Sequence, residues 1–79
     1  MSGFCVELRS RTDALKDLQE KMEEYLANGA QLGWLIDPLE RKVHIYRAHA
    51  GTEILDDTQA VSGEPLLEGF VLDVQPLWD

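Results

Sequence analysis

Apolar and polar residues alternate from the first structured stretch of the chain. In "FCVELRS", Phe4, Val6 and Leu8 fall on one face while Cys5, Glu7 and Arg9 fall on the other, the period-two pattern of a β-strand over residues 4–9. The period then changes. In "RSRTDALKDLQEKMEEYLANGA", Leu15, Leu18, Met22, Tyr25 and Leu26 recur at spacings of three and four and form one apolar stripe of a helix. Thr12 or Asp13 is expected to cap its start, Asp13 and Asp17 favour the positive end of the helix dipole, and Asn28-Gly29 suits a left-handed stop. "LGWLIDP" is a nearly unbroken apolar run ended by Asp-Pro, as expected of a central strand covered on both faces.

After a turn at "DPLER", "KVHIYR" sets Val43, Ile45 and Arg47 against His44 and Tyr46, so residues 32–47 read as a β-hairpin. A loop at Ala48 to Thr52 leads to a short edge strand at "EIL". "DDTQAVSGEPLLEG" reads as turn-rich, and "FVLDVQPLW" as a short strand or turn anchored by Trp78. Strand, helix, strand and hairpin make an α/β (α+β) layer: a small mixed sheet with one crossover helix. The helix is long enough to make the first strand run parallel to "GWLID".

Composition restricts what such a layer can be. The chain has 79 residues with 44% hydrophobic and 28% charged, the balance of one folded domain over residues 1–79. A domain of this size buries only about 60% of its unfolded surface, which favours a partner or a second copy. Cys5 is the single cysteine, and with no second thiol to pair with it the chain suits a reducing compartment, the cytoplasm. No stretch approaches the roughly 20 apolar residues of a membrane span, and the first ten residues lack a basic segment followed by an apolar one. The net charge of −8 opposes broad attraction to nucleic acid. That charge is unevenly spread. Up to residue 21, Arg9, Arg11, Lys16 and Lys21 balance Glu7, Asp13, Asp17 and Glu20, so a polyanion site would have to use this first third.

Glu7 is the residue that asks for a function. A carboxylate in the middle of a buried strand is costly unless it is paired, hydrogen-bonded or bound to a metal. One reading is an ion pair with Arg9 or Lys21; the other is a metal ligand. At about 100° per residue, Lys21 lies some 80° from the centre of the apolar stripe, between Tyr25 and Asp17, whereas Lys16 lies on the solvated face. Of these two lysines only Lys21 can lean over the sheet toward Glu7, although an Asp17–Lys21 surface pair competes for it. Other signals are weaker. His44 and His49 lack the companions of a zinc site, and Asp56, Asp57 and Thr58 lack the spacing of a calcium loop. Trp34 and Trp78 read as core anchors. No glycine-rich phosphate loop opens the helix, and Ser10 has no histidine nearby in sequence for a hydrolase triad.

The segments "FCVELRSRTDALKDLQEKMEEYLANGAQLGWLIDP", "VHIYR" and "SGEPLLEGFVLDV" resemble the C-terminal part of the Uma family of restriction endonucleases. Their shared features are an E-x-x-S strand, a D-L-x-x-K-x-x-x-Y helix, "GWLIDP" and a closing L-x-G-F. The resemblance implies the PD-(D/E)xK nuclease fold and Mg2+-dependent endonuclease activity on DNA, with Mn2+ as the alternative ion. It also implies that Glu7 binds metal, that Ser10 is the serine of E-x-x-S, and that Lys21 supplies from the helix the lysine that usually closes the motif. Tyr25, one turn beyond, would support it.

Such residues fit the chemistry. Phosphodiester cleavage needs an activated water and a neutralised leaving oxygen, for which metal and lysine are suited. Glu7 and the Leu8 main-chain carbonyl are hard oxygen donors of the kind magnesium prefers. Arg9 stands where many members of the wider fold carry lysine; it cannot act as a base but can hold a phosphate. The fold's first aspartate belongs to a strand upstream of the glutamate strand, and Ser2-Gly3 replaces the family's usual Pro-Asp. The isolated chain is therefore expected to be incomplete, and to associate as a homodimer or with a separately encoded N-terminal half. The competing expectation is a non-catalytic interaction module that keeps the nuclease fold.

Overall fold

The computed structural model describes residues 3–78, so the reading of Ser2 lies outside the described residues. The elements run β1 (Phe4–Leu8), α1 (Leu15–Ala27), β2 (Leu32–Asp37), β3 (Lys42–Arg47), β4 (Glu53–Asp56), β5 (Ala60–Ser62) and β6 (Val71–Asp73), followed by a 3-10 turn at Gln75–Trp78. Four strands form a mixed sheet in the order β1-β2-β3-β4, and β5-β6 make a separate two-stranded antiparallel sheet. β1 runs parallel to β2 with Glu7 beside Leu35, while β2, β3 and β4 are antiparallel neighbours. The crossover and the 32–47 hairpin thus form as the sequence predicts.

Alternation along the strands divides the core in two. Leu35 and Tyr46 face α1 and pack on its buried Leu18 and Met22. On the other face, Leu32, Trp34, Ile36, Val43 and Ile45 pack against Val61, Val74 and Trp78, so the β5-β6 hairpin and the final turn cover the sheet opposite the helix. β2 lies between these layers and every one of its residues is buried, which explains its unbroken apolar run. Trp78 fixes the last layer further: its indole N–H donates to the Thr58 carbonyl at 2.8 Å. Trp34 is fully buried, with Phe4 edge-on at 4.9 Å and Phe70 stacked at 6.1 Å.

Three sequence expectations need correction. β1 is not a buried strand but an edge, with Val6 44% and Leu8 53% exposed on the face away from the helix. The α1 cap is neither Thr12 nor Asp13. Ala14 occupies that position without a side-chain cap, because Asp13 turns its carboxylate back to the Ser10 amide and hydroxyl, both at 2.9 Å. Those bonds hold the Asp13 carboxyl below its usual range, the Ser10 amide being the larger cause. Finally, the segment read as turns contains β5, whose central Val61 is buried by pairing across the sheet with Leu72. The helix stop does form as expected, with the Asn28 amide donating to Glu24 O and Gly29 at a φ of 104°.

Gly33 sets how closely α1 approaches β2. A Cβ built there would lie 2.6 Å from Met22 Cε and 3.0 Å from Cys5 Sγ. Met22 is wholly buried and has little room to retreat. Gly33→Ala is therefore expected to lower the unfolding free energy by about 1–3 kcal/mol through overpacking, measured as a reduced urea midpoint. An unchanged midpoint would show that Met22 repacks freely.

Candidate active site

The alternation of β1 turns Cys5 and Glu7 toward α1, and the phase of the helix brings two side chains to meet the carboxylate. Tyr25 OH donates to Glu7 Oε2 at 2.7 Å, and Lys21 Nζ lies 3.3 Å from the same oxygen. Tyr25 and Lys21 are one helical turn apart, so a single helix face presents both. The Glu7 side chain is 22% exposed and that of Lys21 51%, so the cluster opens to solvent at the sheet edge. Glu7, by hydrogen bond and by charge, raises the Lys21 ammonium above its ordinary value. The same partner raises the Tyr25 phenol, with burial adding to it. At neutral pH Lys21 is thus an ammonium and Tyr25 a neutral phenol, both turned to the same Glu7 oxygen. Burial first, and then the charge of Glu7, also raise the neighbouring Cys5 thiol, which keeps it protonated.

The remaining predicted residues have other contacts. Arg9 does not pair with Glu7. Its Nη1 donates to Asp37 Oδ2 at 2.9 Å and lies 3.8 Å from Glu40, while Nε donates to the Asp13 carbonyl at 3.2 Å. Asp37 is wholly buried, and its other oxygen accepts from the amides of Leu39 and Glu40 at 3.0 and 3.3 Å. Arg9 and Asp37 therefore tie the C-terminal ends of β1 and β2 to the turn that begins α1. Ser10 belongs to that turn, bonded to Asp13 and within 3.3 Å of the Thr12 hydroxyl.

The Leu8 carbonyl follows from the ladder. Gly3 O accepts from Leu32 N and Arg9 N donates to Ile36 O, so odd-numbered residues of β1 direct their main-chain groups at β2. Leu8 turns its carbonyl to the open edge. Sequence reading missed Asp37 as more than a turn former; the signal was present as an acid closing an otherwise apolar run.

His44 lies on the helix-facing side of β3, in register with Leu35, and its Nε2 is buried without a hydrogen-bond partner. Burial lowers its pKa below the ordinary 6.5; Asp37 and Glu40 oppose this, whereas Lys42 and Arg9 assist it. A base with a depressed folded pKa takes up protons more readily when unfolded, so stability is full above pH 6.5 and falls as pH drops below it. The urea midpoint is expected to fall between pH 7.5 and 5.5, and His44→Leu to flatten that slope. An identical slope in the variant would assign it to other groups.

The cluster supplies few metal donors. Among the described residues no group of three His, Cys, Asp or Glu is placed to hold an ion, and the cluster offers one carboxylate. Magnesium binds through one or two carboxylates together with phosphate oxygens and several waters. These residues alone do not fit a resident divalent ion.

A model of the Uma2 family, putative restriction endonuclease, matches residues 3–75. The chain belongs to this family. A putative nuclease of family DUF820 from Anabaena variabilis has a similar solved structure, with a TM-score of 0.81 at 27% sequence identity over 96% of this chain. The Uma2 chain spans 43% of the length of that nuclease. No curated protein matches it. The restriction-endonuclease resemblance read from "FCVELRS" and "GWLIDP" is thereby established at the level of family and fold. No helix among the described residues is long and apolar enough to cross a membrane.

Proposed function

We propose that this chain is the C-terminal part of a metal-dependent endonuclease that hydrolyses phosphodiesters of DNA, with Glu7 and Lys21 as its catalytic residues. The observation that carries the reading is the shared oxygen: Glu7 Oε2 accepts from Tyr25 at 2.7 Å and lies 3.3 Å from Lys21 Nζ. Tyr25 holds the carboxylate in one orientation. Lys21, charged at neutral pH and half exposed, is placed to meet a phosphate entering at the sheet edge and to stabilise the charge that grows on its oxygens. The neutral charge balance of the first third supports entry there rather than across the acidic remainder. Magnesium or manganese would need oxygen donors beyond the described residues, and a second polypeptide is the proposed source. The lone cysteine, kept protonated, suits work in the cytoplasm.

The test is cleavage of supercoiled plasmid in magnesium or manganese by the wild-type chain and by Glu7→Gln. The expected result is metal-dependent nicking that is slow for the chain by itself, its cluster bringing one carboxylate, and slower again by about 100-fold or more in the variant. Equal nicking by both proteins would remove Glu7 from the site. A wild-type chain that does not cut would replace this reading with a non-catalytic interaction module.

A further inference from the structure

The turn after β2 does not need a charged residue at position 37. Asp37 Oδ1 accepts from the amides of Leu39 and Glu40 at 3.0 and 3.3 Å, bonds that an asparagine side chain would accept equally well. Yet the carboxylate is wholly buried, and a buried ion pair adds little net stability over uncharged side chains of similar size, because desolvation offsets its attraction. What the charge supplies is direction: Oδ2 holds Arg9 Nη1 at 2.9 Å. We infer that Asp37 is a positioning residue for the proposed site: through Arg9 it fixes where α1 begins, and so holds Lys21 and Tyr25 at the Glu7 carboxylate. This inference rests on the proposed function for what the placed groups do, but the placement itself does not depend on it.

Each link from Asp37 to the helix is a short directed bond. The Arg9 amide donates to Ile36 O at 2.9 Å, which fixes the strand end two residues past Glu7. Arg9 Nε donates to Asp13 O at 3.2 Å, on the residue that precedes the cap position Ala14. Asp13 closes the turn on Ser10, whose amide and hydroxyl donate to Oδ2 at 2.9 Å and whose carbonyl accepts from the Asp13 amide at 3.1 Å. α1 needs such an anchor. Ala14 brings no side-chain cap, and the buried Leu18 and Met22 pack on Leu35 and Tyr46 through apolar contacts, which hold a helix on a sheet without fixing its direction. Lys21 stands seven residues past Ala14 and Tyr25 eleven, about 10 and 16 Å along the axis. At that distance a small tilt or slide of the helix start carries the ammonium and the phenol off the shared oxygen, from which they lie 3.3 and 2.7 Å. A displacement of about 1 Å can cost about 100-fold in rate where groups must meet a reacting centre.

Hydrogen exchange read by mass spectrometry tests the placement without nucleic acid. Asp37→Asn keeps the acceptor for the turn and removes the hold on Arg9. In it, exchange in α1 over residues 15–22 is expected to quicken by about tenfold relative to the hairpin over residues 32–47. Val61→Ala is the control: it opens a cavity in the opposite layer and should quicken both segments alike. Arg9→Lys leaves a cation beside Asp37 but cannot also reach the Asp13 carbonyl, so it should show the same bias toward α1, and it decides the matter if Asp37→Asn does not fold. Plasmid nicking per folded molecule should fall by about 10- to 100-fold in either variant at an unchanged KM, the loss of a misplaced group rather than of binding. Equal quickening of α1 and the hairpin, or nicking per folded molecule at the wild-type rate, would make Asp37 a structural residue only and overturn the inference. If the wild-type chain does not nick, the nuclease reading falls, and the exchange comparison alone decides whether Asp37 places α1.

Discussion

Replacing Arg9 with alanine is expected to cost about 3–5 kcal/mol of stability, the usual consequence of removing one partner from a buried ion pair. The carboxylate of Asp37 is fully buried, and Arg9 Nη1 at 2.9 Å is its charged partner, the Arg9 side chain being only 16% exposed. The amides of Leu39 and Glu40 would remain on its other oxygen, but two neutral donors do not balance a buried charge. A chain of this size has a total stability of about 4–12 kcal/mol, so Arg9→Ala should remove a large share of it and leave the chain substantially unfolded at room temperature if the wild type lies near the low end. Urea denaturation followed by circular dichroism measures it. A loss below about 1 kcal/mol would mean that water reaches Asp37 and that the pair does not hold the strand ends together. Arg9→Lys should recover only part of the loss, since lysine keeps the charge but cannot reach Asp37 and the Asp13 carbonyl with one rigid fork.

Lys21→Met should behave in the opposite way. Its ammonium is half exposed, and an exposed ion pair contributes about 0–1 kcal/mol, so the urea midpoint should hardly move. Under the proposed function, phosphodiester cleavage should fall by about 100- to 1,000-fold, the loss typical of removing one group that stabilises developing charge. Methionine preserves the apolar stem against the helix flank and removes only the charge. Rates on plasmid and thermal unfolding on the same samples separate the two effects. Cleavage at the wild-type rate would return Lys21 to the role of a surface partner for Glu7.

These two lysine and arginine residues show what the sequence could and could not disclose. Lys21 was legible because helical phase is local: 100° per residue places it beside Tyr25 and over the strand that holds Glu7. β2 was equally plain, as an apolar run that only a doubly covered strand explains. The Arg9–Asp37 pair was not, because it joins positions 28 apart and Asp-Pro is already a sufficient turn signal. β5 was lost for a related reason. Three residues beside Gly and Pro carry too little periodicity, and only pairing with β6 makes them a strand. The cap at Ala14 failed in sequence because Asp13 has two uses, helix cap or turn anchor, and the Ser10 amide and hydroxyl decide between them. Exposure of β1 also depends on what lies beside it, which alternation within one strand does not encode.

If Glu7 is the functional carboxylate of this fold, it carries whatever divalent ion the isolated chain can hold, and titration of manganese into the purified protein by isothermal calorimetry reads this out. Weak but saturable heat is expected from the wild-type chain, whose cluster brings one carboxylate, and none from Glu7→Gln, with unchanged circular dichroism. Equal binding by both proteins, or no saturable binding by the wild-type at millimolar manganese, would contradict it.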